Sequence, residues 1–170
     1  MREGSNYPAT YVSWDDAQAF CGKLSQLEKG KYRLPTEVEW EFACRGDTTT
    51  AFSFGDDEFE LAEYGWFDSN AKAIGEPYAH EVALKMPNPL GLFDMHGNVS
   101  EWCADPFAKE LPGGNNPLAA STEKEPFRVA RGGAWFYRSG NCRSASRESC
   151  NPRDTSHYGG FRVAFGGSGK

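Results

Sequence analysis

The chain has 170 residues, enough for one domain, and it carries 24 acidic against 18 basic side chains, a formal net charge of −6. This balance argues against a surface that follows a nucleic-acid phosphate backbone, so nucleic acid is not an expected partner. Aromatic residues make up 14% of the chain, a fraction too high for a disordered protein, and no apolar run is long enough for membrane insertion.

The first predicted element is a helix in the stretch SWDDAQAFCGKLSQLEKG, with Ser13 as its N-cap. Asp16 follows three residues later and completes a capping-box pattern. Gly30 is predicted to end the helix. Apolar residues at helical spacing predict one buried stripe. They are Trp14, Ala17, Phe20, Cys21, Leu24 and Leu27.

The second predicted helix lies in LPTEVEWEFACRG, where Thr36 and Glu39 repeat the capping-box pattern and Gly46 stops the helix. Its acidic first turn suits the helix dipole. We therefore predict Glu37, Glu39 and Glu41 to be solvated helix charges.

The rest of the chain is predicted to be mostly loops. The stretch KMPNPLGLFDMHGNVSEWCAD is turn-rich, and a polar loop follows it up to residue 126. FRVARGGAW (127–135) and GGFRVAF (159–165) combine β-branched and aromatic residues between glycines, which predicts strands.

Five cysteines are present: Cys21, Cys44, Cys103, Cys142 and Cys150. None forms a close CxxC pair, so a zinc site is not indicated. Cys21 and Cys44 fall on apolar helix faces, where a small buried hydrophobe is expected.

Three blocks of this sequence resemble one known family. They are YVSWDDAQAFC with YRLPTEVEWEFACRG, then PNPLGLFDMHGNVSEWCAD, then RVARGGAWF with CRSASR and GGFRVAF. This pattern is similar to the formylglycine-generating-enzyme (sulfatase-modifying-factor) domain. The resemblance implies an α+β, C-type-lectin-like fold, with two helices around a small twisted antiparallel sheet and extensive irregular loops.

The resemblance places this domain at residues 7–165, with flexible tails at 1–6 and 166–170. The family's strand-rich segment before the first helix has no counterpart among the dozen residues before Ser13. Either the domain is minimal or an N-terminal segment lies outside this sequence. No signal peptide precedes the domain, and cytoplasmic and surface-displayed locations both stay open.

Catalytic members of the family bind copper through a cysteine pair in the C-terminal loop. Tyr137 stands where the first of these cysteines would be, and the second has no counterpart, so the resemblance implies no catalytic residue and no copper. The alternative is that Cys142 and Cys150 replace the pair, with Arg143 and Arg147 lowering their thiol pKa. The iron-dependent branch needs a histidine cluster, which three widely spaced histidines do not suggest.

The C-terminal pattern RGG-x-W, CR-x-A-x-R and GFR also resembles the variable proteins of diversity-generating retroelements. In these proteins template adenines are copied with errors, so AAY codons become NNY codons, which cannot encode Trp, Met, Lys, Glu or Gln. Between residues 136 and 159 only Glu148 belongs to the excluded types. The framework residues predicted to stay fixed are Trp135, Cys142, Arg143, Ala145, Arg147, Pro152, Gly160, Phe161 and Arg162.

The same segment has the composition of a binding surface. Tyrosine and phenylalanine give contact area at low entropic cost, and serine adapts its hydrogen bonds. The predicted ligand-binding residues are Trp135, Phe136, Tyr137, Arg138, Ser139, Ser146, Ser149, Thr155, Ser156, His157 and Tyr158. The favoured function is noncatalytic binding of a protein or other macromolecular ligand. The alternatives are a polar loop without a partner, a copper oxidase acting on protein cysteine, and a structural accessory module.

The corner FDMHGNVSEW supports two interpretations. Asp94, the carbonyls of Gly97 and Val99, and Glu101 match positions that bind a structural calcium ion in the family, and hard oxygen ligands suit calcium. The alternative is a rigid hydrogen-bonded corner without metal.

Overall fold

The computed structural model describes residues 4–111 and 127–166, and within them it has three α-helices and six strands. The helices are α1 (Trp14–Leu27), α2 (Glu37–Arg45) and the short α3 (Leu61–Tyr64). The strands are β1 (Tyr32–Arg33), β2 (Ser100–Pro106), β3 (Arg128–Arg131), β4 (Arg147–Cys150), β5 (Gly159–Gly160) and β6 (Ala164–Phe165). Four short 3-10 helices complete the described elements, at Glu58–Glu60, Asp68–Asn70, Lys72–Ile74 and Ser139–Cys142.

The main sheet has four strands in the order β4-β3-β2-β5. The first three are antiparallel, whereas β5 runs parallel to β2, so the predicted all-antiparallel sheet is wrong at this edge. β1 and β6 form a separate antiparallel pair. The predicted α+β arrangement of helices around a small sheet is confirmed.

Both predicted helix starts are present with complete capping boxes. Ser13 Oγ accepts a hydrogen bond from the Asp16 amide at 3.1 Å, and Thr36 Oγ1 accepts one from the Glu39 amide at 3.2 Å. Gly46 ends α2 in the left-handed conformation, as predicted. In α1 the left-handed position after the last turn is Lys29, so the predicted role of Gly30 is wrong.

The buried face of α1 is narrower than its sequence predicts. Ala17 and Cys21 are buried against Leu34 and Trp102, but Phe20 is 49% exposed and Leu27 is 78% exposed. The apolar periodicity of α1 therefore overstates how much of the helix contacts the core.

The acidic residues of α2 are not simple solvated charges. Glu37 is 2% exposed and accepts two hydrogen bonds from Arg147, at 2.5 and 2.8 Å. Arg131 is fully buried and forms ion pairs with both Glu37 and Glu41. Glu39 forms an ion pair with Arg33 at the surface. The term buried charge network is used below for four of these residues: Glu37, Glu41, Arg131 and Arg147.

The predicted tails lie partly outside the described residues. Residues 112–126 of the predicted polar loop lie wholly outside them. Where the chain is described, its ends are hydrogen-bonded to the domain. The Asn6 carbonyl accepts from the Val82 amide at 2.8 Å, and the Gly166 amide donates to the Lys31 carbonyl at 2.8 Å. Within the described ranges no helix combines the length and apolar character needed to cross a membrane.

Candidate functional site

The segment 135–159, predicted to be one loop, contains a 3-10 turn (Ser139–Cys142) and strand β4. β4 pairs with β3 over four residues, with Arg131 opposite Arg147 and Val129 opposite Ser149. The segment is therefore fastened to the main sheet along part of its length, which gives its side chains fixed positions.

A glycine allows the 3-10 turn to pack closely against the end of β3. Gly133 has φ +73°, and a Cβ atom there would lie 2.8 Å from Cys142 Sγ. Cys142 is buried in a cluster with Phe52 and Leu61. This contact anchors the beginning of the candidate surface in the core.

Trp135 belongs to the core and not to the surface, contrary to the prediction. It is 4% exposed and packs with Ala71, Ala79 and Val99. Trp135 therefore supports the candidate surface from beneath, and Phe136 packs against its ring at a centroid distance of 5.3 Å.

Three predicted aromatic residues form a half-exposed cluster. Phe136 meets Tyr158 edge to face with ring centroids 4.7 Å apart, and Tyr137 meets Tyr158 at 6.0 Å. His157 is exposed and lies edge-on to Tyr158 at 5.3 Å. These rings hold one another in place, which presents a preorganised aromatic surface.

The predicted polar residues divide into two groups. Arg138, Ser149, Thr155 and His157 are exposed, and Ser139, Ser146 and Ser156 are half-buried. Ser139 donates to Glu58 at 2.5 Å and Ser146 donates to the Gly140 carbonyl at 2.9 Å, so these two hydroxyls already serve the protein.

An open cleft of about 390 Å³ lies between β4 and the segment that leads into β5. Four of the predicted binding residues line it: Tyr137, Ser149, Ser156 and Tyr158. Its lining also includes Trp102, Glu148 and Asp154, which the prediction of the binding surface missed. The other predicted binding residues are not part of its lining.

Glu148 holds the wall of this cleft together. One carboxylate oxygen accepts from Ser100 Oγ at 2.7 Å, and the other accepts from the Tyr137 hydroxyl at 2.9 Å. Burial raises the pKa of Glu148, and burial together with the Glu148 charge raises the pKa of Tyr137 above its usual range. Glu148 thus positions Tyr137, and it is also the single residue of 136–159 that NNY codons cannot encode.

The two cysteines considered for copper chemistry have unsuitable surroundings. Burial, with a further contribution from the Glu148 carboxylate, raises the pKa of both Cys142 and Cys150 to about 12. The expected lowering by neighbouring arginines is wrong, because Arg147 is held by Glu37 and Arg143 donates to a backbone carbonyl. The two thiols pack in separate apolar clusters.

Three of the calcium candidates, Asp94, Val99 and Glu101, line one open pocket. Asp94 Oδ2 accepts from the Ala83 amide at 2.8 Å, while Oδ1 is buried and has no hydrogen-bond partner among the described residues. Burial raises the pKa of Asp94, and the neighbouring Glu101 carboxylate raises it further. A cation here would offset both effects.

Glu101 is more heavily engaged than the calcium hypothesis expected. It accepts from Trp40 Nε1 at 2.6 Å and twice from Arg162, at 2.5 and 2.7 Å. One lone pair of Oε1 remains free, since Oε2 accepts both from Trp40 and from Arg162. Arg162 lines the same open pocket as Asp94, Val99 and Glu101, so a guanidinium group lies beside three of the predicted calcium ligands and would weaken a cation site.

The fold and this surface define a C-type-lectin-like domain with a shaped, aromatic C-terminal face. The model of the sulfatase-modifying factor enzyme 1-like domain matches residues 1–166, and the chain belongs to this family. The resemblance inferred from the three sequence blocks is thereby confirmed.

Relatives of the chain include enzymes and a variable protein. It is 33% identical over 173 residues to the formylglycine-generating enzyme of Mus musculus, covering 94% of this chain and 44% of the enzyme. It is 31% identical over 167 residues to the serine/threonine-protein kinase pkn1 of Chlamydia caviae, covering 95% of this chain and 24% of the kinase. The chain thus spans less than half the length of either relative.

Among solved structures, Treponema denticola variable protein 1 superposes with a TM-score of 0.84 at 31% identity. The match covers 93% of this chain and 70% of that protein. The predicted similarity to a variable protein is confirmed at the level of fold and sequence.

Proposed function

We propose that the chain is a noncatalytic binding domain that holds a protein or other macromolecular ligand on its C-terminal face. The binding surface consists of Phe136, Tyr137, Arg138, Ser139, Ser146, Ser149, Thr155, Ser156, His157 and Tyr158. The observation that carries the proposal is the half-exposed aromatic cluster beside an open cleft, on a segment fastened to the sheet. Rigid aromatic contacts flanked by small polar side chains are typical of protein-binding surfaces.

The chemistry of the site supports binding over copper-dependent oxidation. A Cu(I) site needs closely placed thiolates. Cys142 and Cys150 are thiols with a pKa of about 12 in different clusters, and Tyr137 donates its hydroxyl to Glu148. The side chains beside the cleft can orient a ligand, but they do not supply a thiolate pair.

We further propose that the exposed positions of the binding surface are diversified by a retroelement. The DNA beside the gene is then expected to carry a reverse transcriptase and a near-copy of the 3′ coding end. Adenines in this near-copy should mark the codons of exposed positions such as Arg138 and Thr155. Sequencing the locus tests this, and the lack of any such copy would remove the diversification while leaving the binding domain.

We propose a weak structural calcium ion at the corner formed by Asp94 and Glu101, with the carbonyls of Gly97 and Val99. Sites of modest affinity have a Kd of roughly 10⁻⁴–10⁻³ M. Calcium at 10 mM would then stabilise the fold by about 1.4–2.7 kcal/mol, which raises Tm by about 3–10 °C. Thermal melts in calcium and in EGTA measure this shift, and Asp94→Asn should abolish most of it. Identical melting of wild type in both buffers would contradict the proposal.

A further inference from the structure

The cleft beside Glu148 has a one-sided charge. Its lining contains two carboxylates, Glu148 and Asp154, and no lysine, arginine or histidine among the described residues. Asp154 is exposed, and its carboxylate makes no hydrogen bond or ion pair within the described part of the chain. The cleft is therefore negatively charged, and the Asp154 carboxylate in it is available to bind a ligand.

Both carboxylates line this one cleft and are therefore available to the same ligand. Both the Glu148 and the Asp154 charges contribute, after burial, to raising the pKa of the Cys150 thiol, which lines the same cleft. Among the described residues, the hydrogen-bond donors to the Glu148 carboxylate are the neutral hydroxyls of Ser100 and Tyr137, and each carboxylate oxygen keeps a lone pair. Within residues 4–111 and 127–166, no lysine, arginine or histidine lines the cleft to compensate this buried carboxylate.

Four aromatic side chains contribute to the walls of the cleft. Tyr137, Tyr158, Trp102 and Phe127 all line the cleft. The Trp102 Nε1 is already used, since it donates to the Val12 carbonyl at 3.0 Å. What these rings offer a ligand is their π-systems, which attract cations.

We propose that this cleft binds a guanidinium group, such as that of an arginine side chain of the macromolecular ligand. This inference rests on the proposed binding function and names the chemistry that the cleft selects. A guanidinium is planar, stacks on aromatic rings, pairs with carboxylates through two hydrogen bonds and is more weakly hydrated than an ammonium. The cleft volume of about 390 Å³ accommodates such a side chain together with neighbouring peptide atoms.

Calorimetric titration of the full chain with N-acetyl-arginine methylamide tests the proposal, with the citrulline counterpart as an uncharged probe of the same shape. We expect saturable binding of the arginine compound and at least tenfold weaker binding of the citrulline compound. Asp154→Asn should weaken arginine binding about fivefold or more. Asp15→Asn, which changes an exposed acid of α1 outside the cleft, should leave arginine binding unchanged.

Three results would overturn the guanidinium site: no saturable arginine binding, equal binding of both compounds, or unaltered arginine binding by Asp154→Asn. Because Asp154 is exposed, this variant is expected to fold even if changes at Glu148 do not. This titration can fail while a macromolecular ligand still binds in a way that requires Phe136 and Arg138. That combination would rule out the guanidinium site and leave the proposed binding surface in place. Loss of that dependence would count against the binding surface itself.

Discussion

Replacing Glu37 by glutamine is expected to lower the free energy of unfolding by about 3–5 kcal/mol, because it leaves Arg147 without its counter-charge and the fully buried Arg131 with Glu41 alone. Glu37 is 2% exposed and is paired with Arg147 and with the fully buried Arg131. Glutamine keeps the shape of the side chain but carries no charge. Urea unfolding of wild type and variant at pH 7 measures the difference.

Glu39→Gln is the matched control, two residues further along the same helix. Glu39 pairs with Arg33 at a partly exposed site, and surface ion pairs contribute about 0–1 kcal/mol. Glutamine also suits the capping-box position that Glu39 occupies. Equal losses from the two variants would contradict the buried charge network as a major source of stability.

The same network connects α2 to the binding surface. Arg147 is the first residue of β4, and Arg131 also donates to the Ser146 carbonyl immediately before it. Loss of Glu37 therefore removes a support directly behind the strand that carries Glu148 and Ser149.

The second large effect is a loss of stability in mild acid caused by His96. This side chain is 2% exposed and burial lowers its pKa to about 4, against about 6.5 in the unfolded chain. Nδ1 lies 2.8 Å from the Cys142 carbonyl, and Nε2 accepts from the Ser53 amide at 3.2 Å. Since a carbonyl only accepts and an amide N–H only donates, the folded state holds His96 neutral with its proton on Nδ1.

The sign of the effect follows from proton uptake. Between pH 6.5 and 4 the unfolded chain binds a proton at His96 that the folded chain does not, so stability falls as the pH falls. The stability that neutral His96 contributes is fully present above pH 6.5. Near pH 4 the free energy of unfolding is lower by about 3 kcal/mol because of this residue. Asp94, Asp105 and Glu148 have raised pKa values and act in the opposite direction, so the wild-type curve alone does not isolate His96.

His96→Gln provides the comparison, since glutamine can hydrogen-bond but does not titrate. Urea unfolding of both proteins from pH 7 to pH 4 should show wild type losing about 3 kcal/mol more than the variant over this range. Parallel curves for the two proteins would show that His96 is not the group responsible.

Short-range signals in the sequence predicted the helices well. Ser13 with Asp16, and Thr36 with Glu39, lie three residues apart, and the capping contacts they make are set within a single turn. Such contacts do not depend on the rest of the fold, which is why their residue types were sufficient to locate both helix starts.

The sequence did not predict strand β2, because its polar residues are buried and their hydrogen-bond partners are distant in sequence. Ser100 meets Glu148, Glu101 meets Arg162, and Asp105 accepts from the Glu37 amide. The strand consequently shows no alternation of apolar and polar residues, and nothing local marks it as the centre of the sheet. The exposure predicted for Glu37 was wrong for the same reason, since its arginine partners come from β3 and β4.

The candidate site was predictable in composition and not in geometry. Tyr137 and Tyr158 were identified as contact residues from residue type, but their shared cleft depends on β4, which has no apolar pattern. Glu148 was marked only as an exception to the codon pattern, which did not indicate that its carboxylate is buried and accepts a hydrogen bond from Tyr137. Asp154 carried no signal in the sequence, because only the folded chain brings it into the same cleft as Glu148.

The central claim is that a stable framework carries a freely variable binding face. The most direct test is the melting temperature of a variant in which four exposed residues are changed to asparagine: Arg138, Ser149, Thr155 and His157. These exposed side chains contribute little to the fold, so we expect Tm to stay within about 3 °C of wild type. The single change Cys142→Asn buries an unpaired amide in the same segment and should lower Tm by about 6–12 °C. If the fourfold variant melts as early as Cys142→Asn, the fold depends on the surface side chains, and a stable framework carrying a freely variable binding face is contradicted.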